Sequence, residues 1–93
     1  MEQAMTHDVK LLGLPKNFAV VQMAERNFPG VVIQGDTLHS LVKRLLEMQR
    51  LLEIGDLEEL AGEIESTKEE LAEALSNYEV VCFECNIELP YRP

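Results

Sequence analysis

The chain is short of bases, of cysteines and of long apolar runs, and each shortage excludes something. Eight lysines and arginines stand against seventeen acids in 93 residues, a formal charge of -9. Such a surface repels the phosphate backbone that nucleic-acid binders neutralise with cations, so direct DNA or RNA binding is not expected. The longest apolar stretches, such as Val31-Val32-Ile33, fall far short of the roughly 20 residues that cross a bilayer, and no membrane association is expected. The opening MEQAMTHDVK lacks a basic-then-apolar export signal. With only two cysteines and no such signal, the expectation is a reduced, cytoplasmic protein. There is no phosphate loop, because Gly30 and Gly35 flank an apolar run instead of opening a helix as G-x-x-x-x-G-K does.

What is present is 46% apolar and 27% charged side chains, enough for one small soluble domain spanning residues 1–93. A chain this short buries only about 60% of the surface it exposes unfolded, so a partner subunit, and a homodimer in particular, is in keeping with its size. The charge is uneven. Residues 1–50 carry six bases and five acids, net +1, whereas residues 51–93 carry two bases and twelve acids, net -10. The second half therefore turns an acidic face to water or to a basic partner.

The first third reads as strands. Val9-Lys10-Leu11-Leu12 is stopped by Gly13 and followed by the turn formers Leu14-Pro15-Lys16-Asn17. Phe18–Met23 is β-branched and aromatic, and Pro29-Gly30 leads into Val31-Val32-Ile33-Gln34, the third strand of an antiparallel meander. After Gly35 the apolar period changes from two to 3.6. Leu38, Leu41, Val42, Leu45, Met48 and Leu52 predict a helix over 37–54, capped by Asp36 or Thr37 and ended by Gly55.

Asp56 and Glu59 resemble a capping box for a second, longer helix over 56–85. Along it Leu57, Ile64, Leu71, Tyr78 and Cys85 recur every seven residues, a seam expected to lie on the first helix in an αα-hairpin. Glu58, Glu63, Glu65, Glu69, Glu70 and Glu73 are expected on the opposite side. The overhanging end, with Tyr78, Val81, Cys82 and Phe83, has to fold over the sheet or meet another subunit. The tail Ile87–Pro93 is extended by its prolines, and its apolar residues are expected to pack back. The fold class is α+β: a three-stranded antiparallel β-meander followed by two antiparallel helices, the second long and acidic.

Cys82-Phe83-Glu84-Cys85 has the spacing of redox dithiols and of half a zinc site. A redox pair needs its first cysteine at a helix N-terminus, where the dipole lowers the thiol pKa, and these cysteines close a helix instead. Only His7 and His39 could complete a zinc set. Two half-buried core thiols are the expected reading, with no metal and no cofactor. Neither histidine neighbours a nucleophile motif, and glutamates strewn along one helix face are ordinarily solvated, so no catalytic residue is assigned and the protein is not expected to be an enzyme.

The run F-P-G-V-V-I-Q-G-D-T-L, residues 28–38, followed by an apolar helix, resembles the N-terminal part of HicB-type antitoxins, with the likeness covering Phe18 to Leu46. Overall the chain is similar to short uncharacterised bacterial proteins carrying R-x-F-P-G-V-x-I-Q-G-D-[ST]-L, here Arg26 to Leu38, and ending near P-Y, here Pro90-Tyr91. HicB proteins usually follow this motif with an acidic pair and alanine, where this chain has His39-Ser40-Leu41, and they often carry a DNA-binding tail where this chain has an acidic helix. The resemblance therefore implies a non-enzymatic protein-binding module, of the antitoxin or immunity kind, that occludes a basic toxin; it does not imply DNA contact. The candidate contacts are Glu58, Glu65, Glu69 and Glu73 with Arg26 and Phe28 of the loop between strands. The alternatives are a structural homodimer paired through the second helix, and a small-ligand or metal binder using Cys82, Cys85 and the histidines.

Overall fold

Three short strands, β1 (Val9–Leu12), β2 (Val20–Met23) and β3 (Gly30–Val31), pair antiparallel in the order β1-β2-β3, and two helices follow, α1 (Gly35–Ile54) and α2 (Leu57–Glu84). The structure is a computed structural model that describes residues 8–93, and the α+β architecture expected from the sequence is the one observed. The chain forms two compact units. One comprises the segment up to Val32 together with Tyr78–Pro93, the other Ile33–Asn77.

In the first unit the register sets Leu12 opposite Val20, and both are buried in a cluster with Tyr78, Val81 and Cys82 from the last turns of α2. The expected overhang of α2 is thus covered by the sheet. Phe83 is the exception: it is 82% exposed, one position past the buried Cys82 and so turned away from the cluster. Ile87 and Leu89 of the tail pack against the same cluster, as expected. The other face of the sheet pairs Val9 with Met23 and Leu11 with Val21, and leaves Val9, Leu11 and Met23 about half open to water.

The second strand starts two residues later than its composition predicts, because Phe18 sits at φ 58 and turns the chain before the ladder begins. Phe18 is nonetheless buried. The third strand is two residues long where four were expected, although the Val32 N–H still donates to the Ala19 carbonyl at 2.8 Å. Tyr78 supplies a bond that no strand pairing provides: its Oη donates to the Pro29 carbonyl at 2.8 Å, inside the buried region. Gly13, at φ 74, is required where it stands, since a Cβ there would meet Val81 Cγ2 at 3.0 Å.

The helix ends differ at one point from expectation. α1 begins at Gly35, its N-cap Gln34 makes no side-chain cap bond, and Asp36 Oδ1 accepts from the Thr37 N–H inside the first turn. Neither Asp36 nor Thr37 is the cap. At the other end Gly55, at φ 78, closes α1 with N–H bonds from Gly55 to Leu52 and from Asp56 to Leu51, the paired pattern that glycine favours. Asp56 caps α2 by accepting from the Glu59 N–H at 3.2 Å. Beyond the end of α2 at Glu84, Asn86 at φ 55 turns the chain, with the Ile87 N–H donating to the Cys82 carbonyl at 2.8 Å.

Replacing Tyr78→Phe leaves the Pro29 carbonyl without its buried donor and is expected to lower unfolding stability by about 1–2 kcal/mol, read from the urea midpoint. Gly13→Ala, strained in φ and pressed on Val81, is expected to lower it by a similar amount, on the order of 1–2 kcal/mol.

Candidate protein-binding surface

The hairpin unit, Ile33–Asn77, carries eleven carboxylates against four cations, a net charge of -7. Three of those cations are already engaged inside the unit. Arg44 of α1 donates to Glu70 of α2 at 2.6 Å, Arg50 grips Glu47 through two bonds of 2.9 and 2.7 Å, and Lys68 lies 3.0 Å from Glu65. The bonds from Arg50 hold the Glu47 carboxyl below its ordinary range, and Lys68 does the same for Glu65.

The four glutamates singled out in the sequence, Glu58, Glu65, Glu69 and Glu73, are all exposed and follow one side of α2. Glu65 is matched by Lys68; Glu58, Glu69 and Glu73 have no lysine or arginine partner among the described residues. Two other acids depart from expectation. Glu63 and Glu70 are half-buried, and Glu70 takes Arg44 across the hairpin. The remaining candidates, Arg26 and Phe28, belong to the sheet unit, where both are exposed in a loop fixed from within. Gln22 Nε2 donates to the Met23 and Arg26 carbonyls at 3.0 and 2.7 Å.

The seam of α2 is the main correction. Leu57, Ile64 and Leu71 stay about half exposed or more, and Cys85 is exposed too; of the seven-residue series only Tyr78 is buried. Within the hairpin unit the buried position of α2 is instead Thr67, 8% exposed, flanked at helical spacing by the half-buried Leu60, Glu63, Glu70 and Ala74. On α1 the corresponding series is Leu41, Arg44, Met48 and Leu51, of which Leu51 alone is fully buried, at 2%. A face this polar and this small cannot accommodate all the apolar side chains of two helices.

The surplus forms a second face. Leu38, Leu45 and Leu52 recur every seven residues on α1 with Val42 beside them, and all four are about half exposed or more. Val42, Leu45, Leu52, Leu60 and Ile64 line one shallow open groove, so the apolar stripes of the two helices lie on the same side of the hairpin. Sequence reasoning missed this face because it assigned every apolar position to one seam. The signal was present: each helix carries apolar residues over a wider arc than a two-helix contact can cover.

The two cysteines part company. Cys82 is fully buried and Cys85 exposed, so the expectation of two half-buried thiols is corrected. Burial pushes the Cys82 thiol above its ordinary pKa. No group of three or more histidine, cysteine or acidic side chains suited to a metal occurs among the described residues; His39 is exposed, and His7 lies outside the described residues. Tyr91 Oη donates to Glu79 at 2.9 Å, and desolvation together with that carboxylate pushes the phenol up to about 12. No described helix is long and apolar enough to cross a membrane.

With the native protein, a thiol reagent is expected to modify the exposed Cys85 and to spare the buried Cys82 until the chain unfolds; mass mapping of labelled peptides checks both. Thr67 Oγ1 is buried without a hydrogen-bond partner. Thr67→Val removes that uncompensated hydroxyl at nearly constant shape and is expected to raise the urea midpoint, by about 1 kcal/mol of stability.

No curated protein and no solved structure matches this chain. Residues 4–91 match a family model, and the chain therefore belongs to the family of unknown function DUF6959.

Proposed function

We propose that this protein is a non-enzymatic, cytoplasmic protein-binding module of the antitoxin or immunity kind, which occludes a basic partner with the carboxylate side of α2. The observation that carries this reading is the set Glu58, Glu69 and Glu73, exposed along one helix side and not neutralised by any lysine or arginine among the described residues. A rigid helix holding carboxylates at fixed spacing speeds the encounter with a cationic surface and fixes its register. The likeness of residues 18–46 to HicB-type antitoxins supports the same class of activity, and Arg26 and Phe28 offer a second contact loop on the sheet unit. Three ion pairs among the described residues engage three of the hairpin's eleven carboxylates and leave its net charge of -7 unchanged, so the unit still presents a strongly negative field to a partner.

The test is capture of proteins from the source cells on immobilised protein at low and high salt. A basic protein is expected to bind at low salt, to elute as the ionic strength rises, and to be lost from a Glu58→Gln, Glu69→Gln, Glu73→Gln variant by tenfold or more. Binding that ignores both salt and these substitutions, or the absence of any carboxylate-dependent ligand, overturns the reading.

A further inference from the structure

We infer that the apolar face of the α1–α2 hairpin pairs with the same face of a second copy of this chain, the two hairpins closing a four-helix bundle. Among the described residues of Ile33–Asn77 only Leu51 and Thr67 are buried, so the hairpin holds almost no core of its own. Yet each helix has a second stripe at coiled-coil spacing: Leu38, Leu45 and Leu52 on one, Leu57, Ile64 and Leu71 on the other. A helix with two apolar seams belongs between two neighbours, which a hairpin supplies once and a bundle twice.

The size fits a second copy. With Val42, Leu46 and Leu75, these side chains expose on the order of 850 Å², more than the largest apolar patch of an ordinary monomer, roughly 300–600 Å², and about what one partner contributes to a standard interface. The charge fits too. The stripes contain a single cation, Lys68, already turned to Glu65, while Glu58, Glu69 and Glu73 lie about a quarter-turn or more away along α2. A two-fold axis through the groove therefore sets leucine against leucine and isoleucine and leaves both acidic sides in water, where like charges do not meet. Leucines on both helices make the face self-complementary, which an interface between copies requires and one with a foreign partner does not.

The inference stands on different side chains from the carboxylate reading, and the two fail separately. Sedimentation equilibrium of the full chain across the micromolar range, with thermal unfolding at the same concentrations, is the measurement. The wild type is expected to be a dimer whose unfolding midpoint rises with concentration. Leu45→Glu with Ile64→Glu is expected to weaken association by more than a hundredfold. Leu45→Ala with Ile64→Ala, which keeps helix propensity, is expected to weaken it at least tenfold with helical content retained. Glu69→Gln is expected to leave it unchanged. A wild type that stays monomeric throughout, or a dimer indifferent to both pairs of substitutions, overturns the inference. A monomer that still captures a basic protein through its carboxylates would sink this proposal alone, and a dimer without such capture would sink only the other.

Discussion

The structure depends on how little apolar surface one sheet and two helices can cover between them. Among the described residues the sheet has three strands, one of them two residues long, and it buries one cluster built on Leu12, Val20, Tyr78, Val81 and Cys82. That cluster uses only the last turns of α2. The rest of this 28-residue helix lies in a unit whose buried positions, among the described residues, are a leucine and a threonine. Backbone ordering costs about 1–2 kcal/mol per residue, so long helices persist chiefly through what their faces bury. Here the uncovered apolar face, rather than a cleft, is the surface with the most to gain from contact.

The polar character of the hairpin's inner side follows from the same constraint. Arg44 and Glu70 meet across it at 2.6 Å, both only partly exposed, and beside them Thr67 keeps an unsatisfied hydroxyl. Such groups fix which residues of two helices face each other more than they stabilise the pairing, since partial desolvation offsets much of the attraction. The carboxylates on the outer side of α2 behave differently. They remain hydrated, and their effect reaches beyond contact, through the field of a unit with net charge -7. The one hairpin thus offers an apolar side to a short-range, shape-dependent contact and an acidic side to a longer-range one.

The cysteines show how a spacing motif is overruled by its place in a helix. Cys82 and Cys85 are three residues apart at the end of α2, and the buried cluster accepts the first while the second has already turned past it. Position in the fold gives the two thiols different chemistry, with burial pushing one pKa up. Phe83, adjacent and 82% exposed, shows that the same helix turn faces both the cluster and water.

Local features were legible in the residues: the strands from β-branched runs, the change of period after Gly35, the left-handed close of α1 at Gly55, the Asp56 cap and the exposed Glu58, Glu65, Glu69 and Glu73. Each is decided within a few residues, by steric limits on φ, by unsatisfied backbone groups or by the preference of a lone carboxylate for water. Which stripe of α2 turns inward was not legible, because Leu57-Ile64-Leu71 and Leu60-Thr67-Ala74 lie side by side at the same seven-residue spacing. Period alone cannot choose between neighbouring sides of one helix. The tertiary structure chose through the Arg44–Glu70 bond and the small buried Thr67, which let the helices meet there and left the leucines outside.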